Sequence, residues 1–114
     1  MASLEHARPN PLTTPGYHSF LTYKQADALS FVWWDMQEGD PPTDHKVMAE
    51  TFQEIMEDDI HDGRKLHYLS SSPESWYATL STLERRGLVQ RVYTRGKLGW
   101  ICTPHGQHVA RHYC

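Results

Sequence analysis

One short segment carries both a helix start and a helix stop, and it constrains the fold more than any other part of the chain. Ser72-Pro73-Glu74 puts Ser at an N-cap, Pro at the first helical position and an acid beside the positive end of the helix dipole. Arg85-Arg86-Gly87 closes the helix with cations in its last turn and Gly at the C′ position. Between these signals Trp76, Leu80 and Leu83 share one face, so this helix must pack on a core. Residues 88–93 and 98–102 follow as strands, and Thr94-Arg95-Gly96-Lys97 joins them in a hairpin with a basic tip.

Two helices are expected upstream. Thr22 as N-cap and Gln25 at N3 form a T-x-x-Q capping box, and Ala26, Leu29, Val32, Trp33 and Met36 continue it as an apolar stripe. Gly39-Asp40-Pro41-Pro42 ends that helix. Thr43 is read as the cap of the next helix, with Asp44 in its first turn and Val47, Met48, Phe52, Ile55 and Met56 on its inner face. Asp62-Gly63 marks a turn, and the long 57–71 connection is open to two readings, an added short strand at 65–69 or a loop. Thr103-Pro104 opens a final short helix toward His112. Residues 1–20, with three prolines and little periodicity, read as an arm. The fold class expected is α+β, mainly helical: three helices, a two-stranded β-hairpin wing and a short C-terminal helix over residues 21–114. That order is the winged helix-turn-helix arrangement.

A chain of 114 residues is enough for one domain. Its formal charge of −3 hides an asymmetry. Residues 35–62 carry ten acids against Lys46 alone, a net of −9. Residues 63–114 carry eight Lys and Arg against Glu74 and Glu84, a net of +6. The two cysteines, Cys102 and Cys114, make no disulfide scaffold. With no apolar leader in 1–5 and no bilayer-length apolar run, a soluble cytoplasmic protein without membrane partners is expected.

Leu21-Thr22-x-x-Gln25 with Leu29 and Val32, then Gly39-x-Pro41-Pro42-Thr43 with Val47, resembles the start of the DNA-binding domain of LexA-type repressors. The run from Ser72-Pro73 through Leu80 and Leu83 to Arg86-Gly87-Leu88-Val89 resembles the recognition helix of that family and the strand that follows it. Leu83-Glu84-Arg85-Arg86-Gly87-Leu88-Val89 and Thr103-Pro104-x-Gly106 also resemble MarR- and PadR-type regulators. The resemblance implies a winged helix that binds double-stranded DNA. It covers only the DNA-binding part of the LexA repressor, so it implies no autoproteolysis. The link between the second and third helices is longer than in that family. The base-reading positions fall here on Ser72, Glu74, Ser75, Tyr77 and Ala78, with other identities, so no target sequence carries over.

Candidate DNA-binding residues are therefore Ser71, Ser72, Ser75 and Tyr77 at the helix start, Arg85 and Arg86 at its end, and Arg91, Arg95 and Lys97 on the hairpin. The cations would neutralise phosphates, and the hydroxyls would meet phosphates or base edges. A homodimer through the arm and the first helix is expected, because winged-helix regulators commonly read paired half-sites. The competing reading is a protein-binding adaptor or inhibitor that uses the acidic 35–62 segment to recruit a basic partner. An exposed Trp34 would fit such a surface.

No glycine-rich phosphate loop, nucleophile elbow or paired catalytic carboxylate appears, so no enzyme and no cofactor are expected. Cys102-x-x-His105-x-x-His108-x-x-x-His112-x-Cys114 gathers five potential metal ligands. Its spacing matches no zinc-binding pattern, and Cys102 is expected to point from its strand into the core, so no metal site is expected there.

Overall fold

The computed structural model describes residues 21–113, so the arm read into residues 1–20 lies outside the described residues. The described chain is α+β and mainly helical. In order it forms α1 (Tyr23–Gln37), α2 (His45–His61), α3 (Pro73–Arg85), β1 (Val89–Thr94), β2 (Lys97–Cys102) and α4 (Pro104–Tyr113).

Each helix begins where its local chemistry satisfies the free backbone donors of a first turn. The Thr22 hydroxyl accepts from the Gln25 amide at 3.1 Å, and the Gln25 side chain accepts from the Thr22 amide at 3.0 Å. Ser72 accepts from the Ser75 amide at 3.1 Å, with Pro73 behind it at the first helical position. Thr103 accepts from the Gly106 amide at 3.0 Å and opens α4.

The start of α2 departs from the sequence expectation. Asp44, not Thr43, is its N-cap and accepts from the Lys46 amide at 2.8 Å. Thr43 is extended instead and forms an isolated antiparallel bridge to Trp100 of β2. Its amide donates to the Trp100 carbonyl at 3.0 Å, and the Trp100 amide donates back at 2.9 Å. The Thr43 hydroxyl donates to Asp35 Oδ2 at 2.6 Å. β-branched Thr43 suits an extended bridge, and Asp44 is the stronger N-cap of the two. The inner face of α2 is rotated too: Met48, Ala49, Phe52 and Met56 are buried, Ile55 packs on the core's rim, and Val47 is 51% exposed.

The core is formed where α1, α2 and α3 meet the hairpin and α4. Trp76, Trp100, Phe52, Leu29, Met48, Leu80, Leu83, Leu88, Val89 and Val109 are almost wholly buried. Phe52 stacks on Trp76 with ring centroids 4.7 Å apart. A tryptophan buried in this way withdraws roughly 150–250 Å² from water, so these two indoles dominate the core. The hairpin pairs Val89 with Cys102 at its base and Thr94 with Lys97 at its tip. Arg95 and Gly96 form its turn at φ values of 54° and 79°. Two successive positive φ values belong to the tight turns whose twist matches paired strands. Gly106 lets α4 pass close to the α3–β1 link, because a Cβ there would lie 1.8 Å from the Leu88 carbonyl oxygen.

Of the two readings of the 57–71 connection, strand and loop, no strand forms at 65–69. After Asp62-Gly63 the chain runs as an irregular segment tied down by side chains. His67 stacks on Tyr23 at 3.9 Å. The Tyr68 hydroxyl donates to Asp27 at 2.8 Å, and Lys24 donates to the Ser70 carbonyl at 2.8 Å. The Lys24 ammonium also lies 4.8 Å from the Trp76 ring centre, and burial lowers its pKa. Among the described residues no helix is long and apolar enough to cross a membrane.

Candidate nucleic-acid interface

With Trp76, Leu80 and Leu83 turned inward, α3 presents Glu74, Tyr77, Ala78 and Arg85 outward, with Ser81 and Thr82 half-buried among them. The face is narrow and mostly small. Several hydroxyls fold back onto the helix itself. Ser75 donates to the Ser72 carbonyl at 2.9 Å, and Thr82 donates to the Ala78 carbonyl at 3.1 Å. Thr82 in turn accepts from Arg85 at 3.2 Å, which braces that guanidinium along the outer face.

Two sequence candidates have other duties. Ser71 is buried; its hydroxyl donates to the Ala49 carbonyl at 2.7 Å and accepts from the Trp76 indole at 2.8 Å. It therefore locks α3 to α2 and is closed to a ligand. Ser72 spends its hydroxyl on capping α3.

Arg91 also lies elsewhere than a phosphate-facing strand residue would. Its guanidinium forms a two-pronged pair with Glu84, with Nη2 at 2.9 Å and Nε at 3.0 Å from the carboxylate oxygens. Nη1 donates to the Tyr77 hydroxyl at 2.8 Å. The same group lies 5.0 Å from the ring centre of Trp100 and 5.4 Å from that of Tyr77. Hydrogen bonding from Arg91 holds the Glu84 carboxyl below its usual range, and the pairing raises the Arg91 pKa further.

His45 at the start of α2 completes the cluster. The Trp100 indole donates to His45 Nδ1 at 3.3 Å, and the His45 ring meets Tyr77 edge-on at 5.3 Å. Burial lowers the His45 pKa against the opposing pull of Asp44. Five residues from α2, α3, β1 and β2 thus clasp the hairpin base against α3. The sequence held a signal for this in the Glu84-to-Arg91 spacing, which joins a helix end to the first strand across a tight Gly87 turn.

The hairpin tip is different. Arg95 is exposed and has no side-chain partner among the described residues. Lys97 is 74% exposed and lies 3.4 Å from Asp44. Burial opposes ionisation of Asp44, but the Lys46 amide and the Lys97 ammonium outweigh it and hold that carboxyl below its usual range. Arg86 is exposed at the C-cap of α3. The exposed cations of this side are thus Arg85 and Arg86 at the end of α3, and Arg95 and Lys97 at the tip.

The acidic stretch falls largely on the outer side of α2, where Glu50, Glu54, Glu57 and Asp58 are exposed. Trp34 is 45% exposed on α1, with its ring edge-on to Trp33. Cys102 is buried, with Sγ 4.0 Å from the Leu29 carbonyl oxygen, so it does not join the histidines of α4. Among the described residues no group of three or more His, Cys, Asp or Glu could hold a metal ion. No protein-family model, curated protein or solved structure matches the chain.

Proposed function

We propose that this chain is a winged-helix protein that binds double-stranded DNA and regulates transcription, with α3 in the major groove and the hairpin tip along the phosphate backbone. The observation that carries the reading is the clasp of Arg91, Glu84, Tyr77, Trp100 and His45. It fixes a cation-tipped hairpin beside a helix whose outer face is left small and polar. A preset angle between helix and hairpin is what simultaneous groove and backbone contact requires. The resemblance to LexA-, MarR- and PadR-type sequences supports the same reading.

In this reading Arg95, Lys97, Arg85 and Arg86 supply phosphate contacts, while Ala78, Thr82 and Glu74 face the base edges. The test is a duplex-binding titration across salt with a randomised pool. The logarithm of affinity should fall with the logarithm of salt, with a slope of about 0.9 per neutralised phosphate. Absence of any salt-dependent duplex binding would remove the proposal.

The exposed acids of α2 and the exposed Trp34 favour one competing reading, a winged-helix adaptor for a basic protein partner. A partner that co-purifies with the chain after nuclease treatment, together with no footprint on DNA, would favour it.

A further inference from the structure

The last helix carries chemistry that the DNA reading does not use. His105, His108 and His112 are exposed along α4, spaced three and four residues apart and so on one side of it. The helix is held firmly: Thr103 caps it, and Val109 and Ala110 bury its opposite side. The His108 and His112 rings stand with centroids 4.6 Å apart and planes at 57°.

A bound ion lies about 2.0–2.1 Å from a coordinating imidazole nitrogen, so two rings this close on one helix side can share an ion. Imidazole suits first-row transition metals, and within that series Cu²⁺ binds such ligands most tightly.

We propose that His108 and His112 chelate one divalent transition-metal ion, with Cu²⁺ bound most tightly and water in the remaining positions.

The experiment is calorimetric titration of the tag-free full chain with Cu²⁺, Ni²⁺, Zn²⁺ and Mg²⁺ in a non-coordinating buffer near neutral pH. Electron paramagnetic resonance of the copper form accompanies it. One Cu²⁺ per chain is expected, with two equatorial nitrogens in the spectrum, weaker Ni²⁺ and Zn²⁺, and no Mg²⁺. Either His108→Gln or His112→Gln should lower copper affinity at least about tenfold, because the chelate becomes a single ligand. His105→Gln should change it by less than about twofold. Copper binding that persists undiminished in the double variant, zinc bound tighter than copper, or no copper binding at all would overturn the proposal. Should the variants fold poorly by circular dichroism, the copper spectrum of the native chain serves in their place, and a spectrum without two imidazole nitrogens overturns the proposal.

Discussion

Arg91 and Arg95 sit on the same hairpin, yet one is structural and the other is a free charge. At the base, Arg91 is hydrogen-bonded to two partners, lies against two aromatic rings and has a side chain only 30% exposed. At the tip, Arg95 occupies a left-handed turn position and points to solvent without a partner among the described residues. A count of positive residues treats them alike. The structure assigns the first to holding the hairpin and leaves the second for whatever the hairpin touches.

Four measurements would break or sharpen that contrast. The largest effect is expected from Trp100→Ala, which empties the centre of the clasp. Loss of a fully buried indole should cost about 3–5 kcal/mol by chemical denaturation, a large share of the stability of a domain this size. Arg91→Ala should come next. The melting temperature should drop and duplex affinity should weaken, while the salt slope stays as in the parent chain. A slope reduced by about one would place Arg91 on a phosphate after all.

Arg95→Ala is the mirror image. It should reduce the magnitude of the salt slope by about 0.9 and shift stability by less than about 0.5 kcal/mol. The smallest effect concerns His45. Burial depresses its pKa in the folded state, so the unfolded chain takes up the proton first. The associated stability is complete above the unfolded value of about 6.5 and is lost as pH falls from there through the lower folded value. His45→Asn keeps an acceptor for the Trp100 indole but does not titrate. Melting curves of the two proteins should diverge below about pH 6.5, with the parent losing more. Parallel curves would remove His45 from the clasp's pH dependence.

What could be read from the sequence was whatever is decided within a few residues. The α1 capping box, both ends of α3, the two-residue hairpin turn and the Thr103 cap each depend on neighbours no more than four positions away. The misreadings share the opposite property. From its neighbours alone Thr43 reads as a cap, whereas its partner Trp100 is far along the chain. Residues 65–69 have strand-like composition, but Tyr23, Lys24 and Asp27 of α1 offer their side chains contacts that replace strand pairing. Val47 fits the apolar stripe of α2 by type, but α3 takes up the face beginning at Met48. The candidate site divides in the same way. Its cations and hydroxyls were legible by residue type, whereas which of them are already engaged depends on the crossing of helix and hairpin.

The bridge between Thr43 and Trp100 has a consequence for how copies of this chain meet one another. A two-stranded sheet offers a row of unsatisfied amides and carbonyls along each side, and such rows template further strands. On the β2 side Thr43 takes the central pair of these groups, and Pro42 lies so close to Gly99 that a Cβ there would fall 2.5 Å from the Pro42 Cβ. Pro41 and Pro42 have no amide hydrogen to offer an incoming chain. One turn of irregular backbone thereby blunts the side of the sheet where edge-to-edge aggregation would otherwise begin.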